Sequence, residues 1–267
     1  MLIPLIDRAS ELGAEIGIIG GSGLYELLEE GAPVEVPTPF GDPAAPIVVG
    51  TLGGHRVAFL PRHGPGHRFA AHHVPYRANI WAFAALGVRG VLAPCSCGAL
   101  QPDLAPGDFV VVDQLVDRTS GRPGTFHETG APEGTPGADQ PLHHQHFADP
   151  YDAGLRGVLV DASRHHVVTT HDGGTMVVIN GPRFSTRAES VWYRDQGWSV
   201  VNMTGAPEAA LAAEAGMTYA TVALVTDRDA GVDGGEPVTM NVVLEVMRHN
   251  VSRLRSVLTT AVEALTS

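Results

Sequence analysis

Two aspartates separated by one residue form the pair of side chains best suited to acid–base chemistry in this sequence. Asp227 and Asp229 follow a β-rich stretch over 219–225, and side chains two apart in an extended segment point to the same side. Carboxylates accept hydrogen bonds from an amino group, and one with a raised pKa can protonate a ring nitrogen. The pattern favours a site for a nitrogen heterocycle; the alternative is a solvated turn leading into Ala230.

Small polar residues and one arginine follow four other apolar segments and suit an anion. The loop Gly20–Gly23 contains Ser22 and could hold an anion with its backbone amides, although such a loop is as often an ordinary tight turn. Arg62 precedes His63, and its planar fork suits phosphate oxygens unless it forms a surface salt bridge. Three further candidate donors follow strands: Cys95, Ser96 and Thr204. Together these residues predict a phosphate pocket that complements the acids.

The elements that must position these residues alternate between strands and helices. Apolar runs bounded by turn residues predict strands at 15–20, 47–51, 56–60, 90–94, 108–113, 175–180 and 198–202. Helical spacing predicts helices at 75–86, from 187 onwards and at 240–265. The order predicts an α/β fold with a mixed sheet in one domain over 1–267. The Gly-, Pro- and His-rich region 121–145 is predicted to be the longest loop.

The composition excludes some classes of partner. Of 267 residues, 44% are hydrophobic and 17% charged, which is enough to bury a sizeable core. The 29 acidic against 17 basic residues give a net charge of -12, which argues against a nucleic-acid partner. The first 20 residues contain acids where a signal peptide is apolar, and no apolar run approaches the roughly 20 residues of a membrane span. We therefore expect a cytoplasmic protein without a membrane partner.

Cysteines and clustered histidines raise the question of a metal site. Cys95 and Cys97 are separated by one residue, too far apart on one strand for an unstrained disulfide. His67, His72 and His73 lie close together, but their spacing matches no helical ligand pair. The expectation is that no metal is bound and that these histidines are hydrogen-bonded or solvated.

Six ordered segments resemble the methylthioadenosine phosphorylase branch of the trimeric purine nucleoside phosphorylases. They are IGIIGGSGLYE (16–26), FLPRHGPGH (59–67), VPYRANIWA (74–82), DQLVDRTSGRPGTF (113–126), GPRFSTRAES (181–190) and NMTGAPEAALA (202–212). The resemblance covers nearly the whole chain and implies one α/β domain around a distorted mixed β-barrel flanked by helices. It also implies a homotrimer with active sites at the subunit interfaces; whether trimers pair into hexamers stays open.

The resemblance assigns a role to each matching position. Phosphate would be bound by Ser22, Arg62, His63, Cys95, Ser96 and Thr204. The purine would face Ser185, Asp227 and Asp229, with Asp227 as the catalytic acid. Met203 would contact the ribose through its backbone amide, and Met240 would line an apolar pocket for a 5′-methylthio group.

A histidine from the neighbouring subunit would reach the 5′ end of the sugar. His144 is the candidate, and His143 and His146 remain alternatives. The sequence departs from the family pattern at several positions: Ser22 and Cys95 stand where many members have Thr, and no aromatic residue follows the paired acids.

The implied activity is phosphorolysis of 5′-methylthioadenosine to adenine and 5-methylthioribose 1-phosphate. No cofactor is expected, because inorganic phosphate is the co-substrate. Two aspartates without an asparagine favour a 6-aminopurine, whose amino group donates to a carboxylate. The alternatives are a general purine nucleoside phosphorylase acting on adenosine or inosine, a hydrolytic nucleosidase, and a nucleoside-binding protein without turnover.

Overall fold

The structure is a computed structural model and describes residues 3–6, 9–21, 24, 27–232, 234–235 and 238–266. Its helices are α1 (Ala9–Leu12), α2 (Tyr76–Ala85), α3 (Ala153–His165), α4 (Arg187–Asp195), α5 (Gly205–Glu214) and α6 (Met240–Thr266). Its strands are β1 (Ile16–Gly20), β2 (Glu29–Val34), β3 (Ile47–Leu52), β4 (His55–Pro61), β5 (Gly90–Leu92), β6 (Cys95–Ala99), β7 (Phe109–Val111), β8 (Gln114–Asp117), β9 (Thr170–Asp172), β10 (Thr175–Val178), β11 (Val200–Asn202), β12 (Thr218–Ala220) and β13 (Val222–Arg228).

The strands form two mixed sheets, one of which curls into a half-barrel. In the six-stranded sheet the order is β12–β5–β1–β4–β3–β2, and the first four strands run parallel. The seven-stranded sheet has the order β8–β10–β11–β6–β13–β7–β9 and contains both parallel and antiparallel pairs. The fold predicted from the sequence, an α/β domain with mixed sheet structure flanked by helices, is confirmed; the domain boundary at 1–267 stays a prediction.

Helices pack on the sheets through two large apolar clusters. In the first, α2 and α5 contribute buried side chains such as Phe83 and Leu211. In the second, α3 and α6 contribute Leu159 and Leu258, together with strand residues from both sheets. The apolar spacing predicted over 240–265 forms the buried face of α6, so this helix anchors the wall of the site as well as the core.

Capping residues explain where two of the helices begin. At α4, the Thr186 side chain accepts a hydrogen bond from the Glu189 amide, and the Glu189 carboxylate accepts one from the Thr186 amide. At α3, Asp152 accepts a hydrogen bond from the Leu155 amide at 2.8 Å. The helix predicted from residue 187 begins at the observed start of α4, whereas α3 is not predicted from the sequence.

The main local difference from the sequence-based expectation concerns Cys95 and Ser96. They were expected just after the strand at 90–94, but they begin β6 in the other sheet, because Pro94 ends the first strand and the chain crosses over. The sequence CSCGA has no β-branched or aromatic residue, so β6 has little intrinsic strand signal. The region 118–152 contains no helix or strand, as predicted for 121–145.

Candidate active site

Strand ends and the start of α6 enclose a cavity of about 510 Å³. Residues after β4, along β6, after β11 and at the end of β13 line one half of it, and α6 residues line the other. Of the residues singled out from the sequence, the cavity brings together Arg62, His63, Cys95, Ser96, Met203, Thr204, Asp227, Asp229 and Met240. These residues come from segments far apart in the chain, so the predicted pocket exists as a single space.

A β-bulge and a glycine set the position of the two aspartates. In the pairing of β13 with β6 the register shifts between Val225 and Asp227, which places Asp227 opposite Gly98. A bulge re-aims the side chains that follow it. A Cβ added at Gly98 would lie 3.0 Å from Asp227 Oδ1 and 3.0 Å from Asp229 Cβ. Gly98 therefore leaves the space in which both acids stand.

Burial raises the pKa of both carboxyl groups. Burial is the main cause for Asp227, whose pKa is raised to about 6; the Thr226 hydroxyl opposes this shift from 2.8 Å, and the nearby Asp229 adds to it. Burial also raises the pKa of Asp229, and the Ser190 hydroxyl, which donates to Asp229 Oδ2, opposes the rise. Near neutral pH, Asp227 therefore exchanges protons readily, which suits a general acid.

Arg62 is bound to a carboxylate that the sequence analysis missed. Its Nε and Nη2 donate to the Glu208 carboxylate at 2.7 and 2.8 Å, and the Tyr219 hydroxyl donates to Glu208 at 2.8 Å. Arg62 and Glu208 are 2% and 0% exposed. Burial alone would lower the pKa of Arg62, but Glu208 raises it above its usual value, so the guanidinium stays charged.

The bidentate fork of Arg62 is thus not open to a ligand. Besides Glu208, Nη2 donates to the Ile19 carbonyl and Nη1 to the Pro94 carbonyl. Because a guanidinium has five N–H donors, this count leaves one on Nη1 for an anion. Arg62 therefore forms a buried ion pair, where the sequence suggested either a free fork or a surface salt bridge. Glu208 lies in the first turn of α5, and the sequence alone assigns it no role in the site.

His63 occupies the same end of the cavity. Its Nδ1 lies 2.8 Å from the Phe69 carbonyl, and its ring stacks on His67 with centroids 4.1 Å apart. Burial, and secondarily the charge of Arg62, lowers the pKa of His63 to about 4. The imidazole is therefore neutral near pH 7.

Asn202, another residue the sequence analysis did not assign, ties two of the strand ends together. Its Oδ1 accepts from the amides of Thr204 at 2.6 Å and Gly205 at 2.8 Å, and its Nδ2 donates to the Ser96 carbonyl at 2.9 Å. These bonds place the two hydroxyl residues Ser96 and Thr204 in one wall. An Asn three residues before the first residue of a helix, able to accept from the free amides there, is the signal that could have identified it.

Arg122 organises the backbone around Met203. Its Nη1 donates to the carbonyls of Met203 at 2.9 Å and Ala206 at 2.6 Å, and its Nη2 donates to that of Asn180 at 2.8 Å. The arginine thus joins the loop after β10 to the start of α5. It lies in one of the segments that carry the family resemblance, but nothing in the segment itself predicts this role.

Two of the predicted site residues, Ser185 and His144, are not among the described residues that line the cavity. A third, Ser22, lies outside the described residues. Ser185 is buried beside Asp229 but is not part of the lining. His144 is exposed in the long loop and does not line the cavity. The neighbouring His143 forms a 3.0 Å hydrogen bond with Gln145 in the same loop.

The half of the cavity formed by α6 is apolar. Met240, Val243, Leu244 and Met247 line it, and Met240 and Leu244 remain 47% and 37% exposed. The site therefore has a polar end and an apolar, partly open end. Among the described residues, no group of three or more His, Cys, Asp or Glu side chains is arranged to hold a metal ion. None of the described helices has the length and apolar character needed to cross a membrane.

The fold and the site define an α/β protein with an acid pair and an anion-type pocket in one cavity, and the chain belongs to the phosphorylase superfamily, whose family model matches residues 15–263. It is 52% identical over 251 residues to an S-methyl-5′-thioadenosine phosphorylase of Mycolicibacterium smegmatis, covering 94% of this chain and 91% of the relative. It is 50% identical over 258 residues to a purine nucleoside phosphorylase of Streptomyces coelicolor, covering 96% and 91%.

Solved structures agree with this assignment. The chain is similar to methylthioadenosine phosphorylase from Schistosoma mansoni in complex with adenine, with a TM-score of 0.89 and 39% identity, covering 95% of this chain and 92% of that one. A methylthioadenosine phosphorylase from an antarctic soil metagenomic library gives a TM-score of 0.86 at 40% identity, with coverages of 95% and 87%. The predicted family is confirmed.

Proposed function

We propose that this protein catalyses the phosphorolysis of 5′-methylthioadenosine to adenine and 5-methylthioribose 1-phosphate. The observation that carries the proposal is the arrangement of one cavity. Buried acids form one wall, hydrogen-bond donors suited to an anion form another, and apolar side chains lie at the mouth. Relatives that are 44–52% identical and named S-methyl-5′-thioadenosine phosphorylase support it. The protein is then a pentosyltransferase.

In this mechanism the glycosidic C–N bond loosens first and the sugar gains oxocarbenium character. Phosphate on the opposite face of the sugar stabilises that charge and forms the new C–O bond. Asp227 gives a proton to N7 of the purine, so that the base leaves neutral, and its raised pKa suits this step. Positioning and electrostatics supply the catalysis, and neither a metal nor an organic cofactor takes part.

The site residues take the roles implied by the family. Phosphate is held by Ser22, Arg62, His63, Cys95, Ser96 and Thr204. The Met203 amide contacts the ribose, and Ser185, Asp227 and Asp229 face the purine. Burial raises the pKa of Cys95 to about 12, so its thiol stays protonated and can act as a weak donor to phosphate.

The apolar end of the cavity favours a methylthio group over a hydroxyl at the 5′ position. Met240, with Val243 and Leu244 beside it, offers hydrocarbon and thioether surface with no hydrogen-bond partner for a 5′ hydroxyl. A general purine nucleoside phosphorylase acting on adenosine or inosine is the second candidate, favoured by the similarity to the Streptomyces enzyme. Adenosine carries adenine and inosine carries hypoxanthine, and two carboxylates suit the amino group of adenine better than the carbonyl of hypoxanthine.

The assembly is proposed to be a homotrimer in which each cavity is completed by a neighbour. The supporting observations are the partly exposed apolar residues at the mouth and the exposed position of His144, away from its own cavity. We also propose a cytoplasmic location, with which two free buried cysteines agree.

Mixing two impaired variants tests the shared site. His144→Ala and Asp227→Asn subunits that are unfolded and refolded together should regain activity, because some sites then combine an intact Asp227 with an intact His144 from a neighbour. Each variant refolded alone is the control. A monomer in sedimentation, or no recovered activity in the mixture, would contradict the shared site.

Adenine release by the purified protein tests the activity itself. Release from 5′-methylthioadenosine should require phosphate and should exceed release from adenosine and inosine. Equal release without phosphate would replace phosphorolysis by hydrolysis. Phosphate-dependent release that is strongest for inosine would keep the chemistry but overturn the proposed base contacts of Asp227 and Asp229.

A further inference from the structure

The hydrogen bond between His63 and Phe69 fixes the tautomer of a side chain at the phosphate end of the cavity. The Phe69 carbonyl can only accept, so the hydrogen on this 2.8 Å contact belongs to Nδ1. We assign the neutral ring as protonated on Nδ1 and bare on Nε2. Within the described part of the chain, Nε2 has no hydrogen-bond partner, although His63 lines the cavity.

The charges around His63 keep this tautomer neutral. Arg62 precedes it and His67 stacks on it, and burial together with the charge of Arg62 lowers its pKa. Arg68 is a second cation in the cavity lining, while Asp227 and Asp229 lie on β13 and the turn after it. The carboxylate nearest to the phosphate end, Glu208, is bound to Arg62. An anion entering here therefore meets a hydrogen-bond acceptor as well as donors.

We propose that His63 Nε2 accepts a hydrogen bond from the P–OH group of hydrogen phosphate and thereby makes the site select hydrogen phosphate over sulfate. The inference rests on the proposed phosphorolysis and adds a specificity-determining role for His63. Sulfate has the same tetrahedral shape and the same double charge but no proton to donate. One of its oxygens would lie against the lone pair of Nε2, leaving a buried acceptor unpaired.

The proton count of the reaction agrees with this role. A neutral nucleoside and HPO₄²⁻ give a neutral base and a sugar phosphate dianion, so the base gains the proton that phosphate loses. As the C–O bond forms and the C–N bond breaks, Asp227 gives its proton to the purine, and the electron pair of the C–N bond leaves with the base. The proton of phosphate, which is hydrogen-bonded to the neutral His63, is lost to solvent from the product sugar phosphate. Solvent returns one proton to Asp227, so that the protein ends in its starting state.

Competition between the two anions tests the proposal. Phosphate and sulfate binding to the wild-type protein are compared by calorimetry at constant ionic strength, at a pH where phosphate is mainly the dianion. Sulfate should bind roughly 10- to 100-fold more weakly, the size expected for one unpaired buried acceptor. Arsenate, which carries the same proton, should bind like phosphate. Equal affinity for sulfate and phosphate would overturn the proposal.

A substitution at His63 separates selectivity from simple loss of binding. His63→Gln offers an amide that can turn either its N–H or its oxygen to the ligand, so the preference for phosphate should fall toward unity. His73→Gln, at an exposed position outside the cavity lining, is the matched control and should keep the wild-type ratio. A His63→Gln protein that still rejects sulfate as the wild type does would assign the selectivity to other groups.

Nitrogen NMR of the histidine ring gives a direct readout. The His63 signals should report a proton on Nδ1 and none on Nε2 in the free protein, with a shift of the Nε2 signal when phosphate binds. A doubly protonated ring in the free protein would overturn the assignment. If adenine release requires phosphate while sulfate competes equally, this inference fails alone. If release is independent of phosphate, the proposed function fails.

Discussion

The two ends of the polar wall differ in whether a buried charged group has a partner of opposite charge. At the phosphate end, the charge of Arg62 is matched by Glu208, which in turn accepts from Tyr219. At the purine end, Asp227 and Asp229 accept hydrogen bonds from the hydroxyl groups of Thr226 and Ser190, and no cation among the described residues pairs with either carboxylate. The first arrangement fixes a group in place, whereas the second leaves the pKa of a carboxyl group raised and ready for proton transfer.

One end of the site is therefore built for stability and the other for proton transfer. A buried ion pair whose members are both retained is tolerated, but removing one partner leaves an uncompensated charge. A buried carboxylate without a cation costs stability in its ionised form, and that cost is the reason it can act as an acid near neutral pH. Removing one charge should therefore stabilise the purine end and destabilise the phosphate end.

The largest effect is expected for Asp227→Asn. Because the amide cannot give a proton to the purine, turnover of adenosine-type substrates should fall by about 10²- to 10⁴-fold, with some turnover of inosine. Steady-state kinetics with both classes of substrate measure this. Unchanged adenosine-type turnover would remove Asp227 from the mechanism.

The same variant should be more stable than the wild type at neutral pH. The folded-state pKa of Asp227 is raised from 3.8 to about 6, so the folded protein binds its proton more tightly and loses stability as pH rises through this window. Asparagine removes the penalty, which is at most about 3 kcal/mol. Thermal unfolding of both proteins should coincide below the window and separate above it; a less stable variant at neutral pH would contradict the argument.

Glu208→Gln should act in the opposite sense at the other end. The substitution leaves Arg62 buried without its counter-charge, so the free energy of unfolding should fall by about 3–5 kcal/mol, together with activity. Glu15→Gln, in an exposed pair with Arg89 at 3.8 Å, is the matched control and should change stability by less than about 1 kcal/mol. Equal losses in the two variants, measured by denaturant unfolding, would mean that burial of the Arg62 pair is unimportant.

Gly98→Ala tests whether the space beside Asp227 and Asp229 determines the position of these acids. The added methyl group would press on Asp227 and Asp229 at 3.0 Å, so the acids must shift by a few tenths of an ångström or more. Turnover should fall by about 10²-fold or less, because small misplacements of reacting groups are costly. Phosphate binding, measured by calorimetry, should change little. A larger loss of phosphate binding than of turnover would contradict the separation of the two ends.

Met240→Thr gives the smallest expected effect. Met240 is 47% exposed in this subunit, so the loss of apolar surface should reduce kcat/KM for 5′-methylthioadenosine by only about tenfold, with adenosine little affected. Val242→Thr, at 45% exposure on the same turn but outside the cavity lining, is the control. If both variants lose the same activity, Met240 does not contact the 5′ group.

Much of the fold could be predicted because its elements carry local signals. The helical spacing of apolar residues predicts α2, α4 and α6, and the structure shows that Thr186 caps α4. β6 could not be predicted as a separate strand, since CSCGA lacks the β-branched and aromatic residues that identify strands, and its stability comes from its neighbours β11 and β13.

The types of chemical group and their order along the chain can be read from the residues alone: the spaced acids, the arginine–histidine pair, the small donors after strands and the family that these segments resemble. The protonation states and the directions of these side chains depend on the folded molecule. Glu208 meets Arg62 across 146 positions, and the bulge before Asp227 depends on pairing with β6. The physical reason is that pKa values and side-chain directions depend on burial and on partners distant in sequence, which a local pattern does not contain.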